Sequence, residues 1–447
     1  RESTSRMTRP ESFVHWFRAA APYIHAFRDR VFVIAFGGEV VHDPKFVGLI
    51  HDFNLLESLG VRLVLVHGAR PLVESRLKTR GIRSQFVRGL RITDNQALQC
   101  VKEANGVARV EIEALLSQEL ANSPMAGSDI RVATGNFVTA QPVGVLDGVD
   151  LQHTGMVRKV DAQGIRRRLE DEEIVLLSPI GYSPTGEIFN LSLEEVATAT
   201  ATALGADKLI FLMEDALGVV DRKSKVMAEL TAREAERVLD SEVVQDEDVM
   251  LYLPCAVRAC KAKVARCHLI NRRADGALLL ELFTREGIGT MVTRDPLESL
   301  RDATVEDVGG VLKLIEPLEA DGILVKRGRE LLEREIPRFS VLEHDGSIVG
   351  CVALYPFPKA KAAELACLAV HPQYQDGGRG ERLLQHVEAR AKRQGVKELF
   401  VLTTRSAHWF VERDFVEADV TRLPDEKKNL YNYQRRSKVF VKRLGKK

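Results

Sequence analysis

Between residues 31 and 270 the chain repeats one pattern. A short, largely apolar run is followed by a longer segment whose apolar residues recur every three or four positions. The apolar runs fall at 31–36, 62–66, 130–133, 174–177, 208–212 and 266–270. Their length and density predict buried strands. The spacing between them predicts helices, for example over 191–204 and 277–286. Strands alternating with helices predict an α/β three-layer sandwich on a mainly parallel sheet. Ahead of the first strand, residues 11–27 predict a helix with Phe13, Phe17, Ile24 and Phe27 near one face.

The pattern changes at Arg294-Asp295-Pro296. This divides the chain into a first domain (1–294), a linker (295–300) and a second domain (301–447), each of ordinary size. Residues 304–307 (Thr-Val-Glu-Asp) form a capping box that opens a helix. Asp345-Gly346 joins the β-rich runs 339–343 and 347–355 as a tight hairpin. Next come a strand over 364–370, a helix over 381–394, a strand over 398–403, a helix over 407–412 and a strand over 438–443. A mixed central sheet follows from that order.

Composition narrows the class. The 447 residues are 45% hydrophobic and 28% charged, with net charge +1, which suits a globular protein with no global pull toward nucleic acid or membrane. The apolar runs are far short of a bilayer span. The N-terminus is charged and lacks a secretory core. The chain opens on Arg rather than Met, so its first residues read as a trimmed or appended end. Six cysteines occur without a C-x-x-C pair, which reads as buried thiols in a reducing cytoplasm. Cys255, Cys260, Cys267 and His268 lack zinc-ligand spacing, so no metal is expected.

The candidate chemistry lies at 363–384. A strand runs into Gln375-Asp376-Gly377-Gly378-Arg379-Gly380 and then into a helix. Glycines let the backbone approach an anion, and N–H groups at a helix start point at it. The Q-x-x-G-x-G form resembles the pyrophosphate loop of GCN5-related N-acetyltransferases. The segments GILVKRGRELLE, ELACLAVHP, LFVLTTRSAHWFVERDF and LYNYQRRSKVFVKRL extend the resemblance to the catalytic half of bacterial N-acetylglutamate synthases. It implies acetyl-CoA as co-substrate and L-glutamate as acceptor, by direct transfer. Cys367, Leu368 and Val370 would then lie beside the acyl arm, with Gln375, Gly377, Gly378, Arg379 and Gly380 at the pyrophosphate. Glu364 is a carboxylate in an apolar strand, where burial favours the proton-holding form. It is the candidate base; a salt-bridged or edge position is the plainer reading. Thr403 is the candidate acid at the leaving sulfur, or a structural threonine. Arg327 with Arg435 or Arg436 are candidate cations for the two carboxylates of glutamate.

Residues 11–294 resemble the amino acid kinase family through VFVIAFGGEVV, LVLVHGARPLVESRL, ATGNFVTAQPVGV, FNLSLEEVATATA and HLINRRADGALLLELFTREGIGT. Phosphoryl transfer needs positive charge at the moving phosphate. Here the positions matching the kinase lysines read Ala35 and Ala256, the glycine-rich run reads Gly68-Ala69-Arg70, and the Asn/Asp motif reads Ser192-Leu193-Glu194. The resemblance therefore implies a regulatory domain without kinase chemistry. It also implies an L-arginine effector site at Tyr23, Lys208, His268, Glu281, Gly287 and Gly289, feedback inhibition, and a homo-oligomer, hexameric in the family. Two other readings compete: a working kinase with a fused acetyltransferase, and a non-enzymatic arginine sensor that only binds CoA. Ala35 and Ala69-Arg70 oppose the first; Glu364 and the glycine loop oppose the second.

Overall fold

The computed structural model describes residues 9–375, 377–429 and 437–445. It forms two compact units, Arg1–Asp295 and Pro296–Lys447.

In the first unit, helix α1 (Arg9–Phe27) precedes an eight-stranded sheet. Its strands are β1 (Val31–Phe36), β2 (Arg62–His67), β3 (Arg131–Ala133), β4 (Glu173–Leu177), β5 (Lys208–Met213), β6 (Glu229–Thr231), β7 (Arg266–Asn271) and β8 (Thr290–Thr293). They lie in the order β6-β8-β7-β5-β1-β2-β4-β3, all parallel except the β7/β8 pair. Strand alternation explains the layers. Val33 and Ala35 face one core with helices α3 (Leu193–Leu204) and α4 (Glu247–Ala262). Phe32, Ile34 and Phe36 face the other, with α5 (Ala277–Phe283). Between β2 and β3 runs α2 (Asn95–Leu116), started by an Asp94 cap that accepts from the Ala97 N–H. A second, four-stranded sheet covers part of this unit.

Helix α5 is shorter than the 277–286 expected. It stops at Phe283, and the Glu281 side chain turns back to accept from the N–H groups of Ile288 (2.7 Å) and Gly289 (2.9 Å). A local capping preference thus overrides the apolar spacing.

The second unit holds a seven-stranded sheet: β9 (Glu298–Asp302), β10 (Phe339–His344), β11 (Ser347–Phe357), β12 (Ala362–Val370), β13 (Glu398–Thr403), β14 (Val416–Ala418) and β15 (Lys438–Arg443). The order is β9-β10-β11-β12-β13-β15-β14. Helix α6 (Val308–Ala320) packs on one face and α7 (Arg379–Arg393) on the other. The sheet is mixed, with β12/β13 parallel and the other pairs antiparallel. Asp345 (φ 47°) and Gly346 (φ 76°) make the hairpin with two left-handed residues, and Thr304 and Asp307 form the capping box ahead of α6.

The expected linker 295–300 needs correction. Glu298–Asp302 is the edge strand β9, paired to β10 along its length. Glu298 binds both Arg379 (Nε–Oε2, 2.6 Å) and Arg382 of α7. Charged residues near a proline read as loop, yet an edge strand tolerates them.

Candidate active site

The second unit is built around a fork. On one side β12 stays paired with β11 from Phe357↔Ala362 to Gly350↔Val370. On the other it pairs with β13 only at Ala362↔Glu398, Ala363↔Leu399 and Glu364↔Phe400. Beyond that point the two strands part, and β13 continues to Thr403 against β15. The far half of β12 therefore turns backbone N–H and C=O groups toward an open slot. The β11/β12 register shifts between Cys351 and Ala353, and Cys367 adopts φ 53°. That bulge re-aims the backbone where the slot begins.

Four side chains meet at the fork. Glu364 is 8% exposed and opposes Tyr355 across the β11/β12 pairing. Arg327 is half-buried beside Tyr355, Cys367 and Glu364. Burial pushes its guanidinium down, but those three neighbours hold it above its ordinary value. Tyr355 donates to Glu335 Oε2 at 2.6 Å; burial, then that bond, push its hydroxyl well up. The Cys351 thiol holds the Cys367 thiol down against burial, and Arg327 adds to this.

The lone carboxylate expected at Glu364 is not what the fold provides. Lys427 Nζ, from the short helix Asp425–Lys428, lies 2.6 Å from Glu364 Oε2. The salt-bridged position is therefore realised, within the same fork as Arg327. Neither Tyr355 nor Lys427 was singled out from sequence. Tyr355 follows from counting back across the turn at Pro358–Ala360. Nothing local marks Lys427, which arrives from a distant element.

Thr403 ends β13, three residues beyond the last β12/β13 pair, as Cys367 does on β12. Its Oγ1 accepts from the Ser406 N–H at 3.0 Å, so its own proton is left to donate elsewhere. Leu368 and Val370 complete the open side of β12. At the end of that strand Gln375 Nε2 donates to the Val370 carbonyl at 3.3 Å. Gly377 (φ 103°) and Gly378 (φ 72°) then turn the chain into α7, with Gly378 as its N-cap. This leaves the first N–H groups of α7 around Arg379 and Gly380 as an anion cradle. The Arg379 guanidinium is tied to Glu298 and lies over the Tyr374 ring. Arg435 and Arg436 lie outside the described residues.

In the first unit the positions that match the kinase lysines carry no cation. Ala35 is 1% exposed in β1 and Ala256 is enclosed within α4, so both are core residues. Ala69 caps a helix, and Arg70 is exposed over the Phe86 ring. Ser192 is the N-cap of α3, with Glu194 and Glu195 in its first turn. Glu247 and Asp248 occupy the same place in α4. The positive helix ends that could hold phosphates are thus already met by carboxylates of the chain.

The candidate effector residues do converge. Lys208 Nζ lies 3.0 Å from His268 Nε2; His268 Nδ1 lies 2.7 Å from Glu281 Oε1; Glu281 Oε2 takes the Ile288 and Gly289 N–H groups. Burial, then Lys208, lower His268 to about 4. At neutral pH its Nδ1–H therefore donates to Glu281 while Nε2 accepts from Lys208. Glu281 is lowered to about 2: burial opposes, but His268 and the two N–H groups prevail. Gly287 has φ 59°, next to these bonds. Tyr23 stands one turn from Phe27, whose ring lies 5.3 Å from Lys208 Nζ. Among the described residues no group of three or more His, Cys, Asp or Glu side chains could share a metal ion.

Comparison with known proteins gives the same two-part division. The profile of the amino acid kinase family matches residues 30–271, and that of the acetyltransferase (GNAT) family matches 312–415. An amino-acid acetyltransferase of Ralstonia nicotianae is 56% identical over 435 residues, covering 97% of this chain and 96% of that protein. One from Ectopseudomonas mendocina is 54% identical, covering 97% and 99%. Two crystal structures of N-acetylglutamate synthase from Neisseria gonorrhoeae are 38% identical, covering 97% of this chain and all of theirs. One, with coenzyme A and L-arginine, superposes with a TM-score of 0.86; the other, with coenzyme A and N-acetyl-glutamate, with 0.61.

Proposed function

Because the chain belongs to the amino-acid acetyltransferase family, we propose that it acetylates the α-amino group of L-glutamate from acetyl-CoA, giving N-acetyl-L-glutamate and CoA. The observation that carries this reading is the fork: β12 leaves β13 directly after Glu364, with Arg327 beside it and the glycine-led start of α7 beyond.

Acetyl-CoA supplies an activated acyl carbon and a thiolate leaving group. The rest falls to the chain. The N–H groups of β12 at Cys367, Leu368 and Val370 donate to the thioester oxygen as it gains charge. Gln375, Gly377, Gly378, Arg379 and Gly380 hold the pyrophosphate. Arg327, with Arg435 or Arg436, binds the carboxylates of glutamate. The incoming ammonium must lose a proton before its nitrogen can attack, and Glu364 takes it through water. The neutral amine then bonds to the acyl carbon, the C–S bond breaks, and Thr403 donates its proton to the departing sulfur while taking up the second proton that the new amide nitrogen sheds. Lys427 must share Glu364 with that water, so the ion pair opens as glutamate enters.

The first unit acts as an L-arginine sensor, with Lys208, His268, Glu281, Tyr23, Gly287 and Gly289 as its site, and arginine inhibits the enzyme. Glu281 retains one lone-pair direction after its three bonds, and the carbonyls near Gly287 add acceptors for a guanidinium. On this reading the enzyme works in the cytoplasm, at the entry to arginine biosynthesis. Phe13 and Phe17, exposed on one face of α1, supply the surface for a homo-oligomer, a hexamer by the family resemblance.

A panel of amino acids assayed with acetyl-CoA, with products identified by mass, tests the acceptor. N-acetyl-glutamate is expected as the main product; faster acetylation of an amino acid with a neutral side chain would refute the assignment of glutamate.

A further inference from the structure

Arg327 reaches the fork from a loop, and a loop alone does not aim a guanidinium. Helix α6 ends at Ala320, and Gly322 (φ 70°) turns the chain away from it, with the Ile323 N–H returning to the Leu318 carbonyl at 2.8 Å. The chain enters its next helix at Arg329–Glu335. Between those two helices three contacts hold Arg327. Its backbone N–H donates to Glu319 Oε1 at 2.7 Å. Its Nη1 donates to the Val325 carbonyl at 3.0 Å, which folds the side chain back over its own loop. Its guanidinium stands beside Tyr355, whose hydroxyl proton is committed to Glu335 Oε2 at 2.6 Å. That bond leaves the phenol oxygen's lone pairs turned toward Arg327 as acceptors.

Glu319 is the unexpected partner. It lies in the last turn of α6, where the helix dipole disfavours a carboxylate. A charge-assisted bond from a backbone N–H offsets that cost. The charge of Glu319 also reaches Cys367 of β12, which puts its carboxylate beside the fork as well as against the loop.

We propose that Glu319 is a positioning residue for the acceptor. By gripping the Arg327 backbone it sets where the guanidinium stands against incoming glutamate, with Tyr355 as the second support. This rests on the reading of Arg327 as a carboxylate-binding residue. Glu319 fixes the root of the side chain and Tyr355 its tip, so the planar fork is aimed before the substrate arrives. Acetyl-CoA, held by β12 and the start of α7, does not depend on this grip.

Steady-state kinetics on the full chain tests this with E319A, E319Q, Y355F and R327A. Ala and Gln both remove the charge, but Gln keeps an oxygen that accepts the Arg327 N–H. KM for glutamate should rise about five- to tenfold in E319A, the worth of one good hydrogen bond, and stay within about twofold of the parent in E319Q. KM for acetyl-CoA and kcat should hold in both. In the R327A background the effect of E319A should vanish, because no guanidinium is left to aim. Should E319A misfold by circular dichroism, Y355F carries the test, with a raised KM for glutamate that also vanishes in R327A. Equal glutamate KM in E319A and E319Q would overturn the proposal. So would KM values for glutamate and acetyl-CoA that rise together, or an E319A effect that persists without Arg327. A raised glutamate KM in R327A beside an unmoved one in E319A overturns this inference alone. An unmoved KM in R327A removes the reading of Arg327, and the inference with it.

Discussion

At the residue scale the fork stands on Glu364 and its two cationic neighbours, Lys427 at 2.6 Å and Arg327. Glu364→Gln keeps the shape and removes the base. We expect kcat to fall by about 10²–10⁴ with little change in KM for acetyl-CoA, the usual range for lost general-base catalysis. Steady-state kinetics at neutral pH checks it, and an undiminished kcat removes Glu364 from the proton path. Arg327→Lys keeps the charge but loses the planar fork. KM for glutamate should rise about tenfold, close to 1.4 kcal/mol of lost binding, while KM for acetyl-CoA holds. Equal rises in both would make Arg327 a scaffold residue. Glu364 was legible because a carboxylate interrupts an apolar strand. Lys427 was not: its place depends on a helix that reaches the fork only through tertiary folding.

At the element scale most of the architecture could be read from periodicity. Strands β1, β13 and β15 have the bounds that their apolar runs mark, and the left-handed pair Asp345-Gly346 turns where its residue types require. What failed were elements decided by side-chain capping or by edge position. Helix α5 yields to Glu281, and β9 hides in a charged, proline-flanked stretch because an edge strand need not be apolar. The parting of β12 from β13 has no local signal in the sequence. Gly378 offers a clean probe of the loop. It sits at φ 72° with no heavy atom of the described residues within 4 Å of where a Cβ would lie, so Gly378→Ala adds backbone strain without a clash. That strain is roughly 1–2 kcal/mol. KM for acetyl-CoA should rise several-fold with kcat nearly kept; an unchanged KM would mean that the loop does not bind the co-substrate.

At the scale of the whole molecule, acid and base act on the first unit in opposite senses. His67 and His268 are each lowered to about 4, by burial first. Below pH 6.5 the unfolded chain gains protons that these folded imidazoles refuse, so their stability is lost as pH falls from 6.5 toward 4. Asp52 is raised to about 7, by burial and then by Asp275. Its contribution is whole below the unfolded value of 3.8 and is lost as pH rises through 7. Asp52→Asn should therefore raise the thermal midpoint at pH 8 and leave it unchanged below pH 4. In that background the unfolding free energy should drop between pH 6.5 and 4, by roughly 3 kcal/mol for each histidine. A flat profile would mean that both imidazoles titrate normally in the fold.

The proposed function joins a transferase fork in one unit to an effector cluster in the other, and one measurement reaches both. Thiol release from acetyl-CoA is followed with and without L-glutamate, and again with L-arginine, in the parent chain and in Glu281→Gln. Release should require glutamate and be suppressed by arginine in the parent, while the Glu281→Gln enzyme keeps its rate and loses most of that suppression. Release that ignores glutamate, or arginine inhibition that survives Glu281→Gln intact, would contradict it.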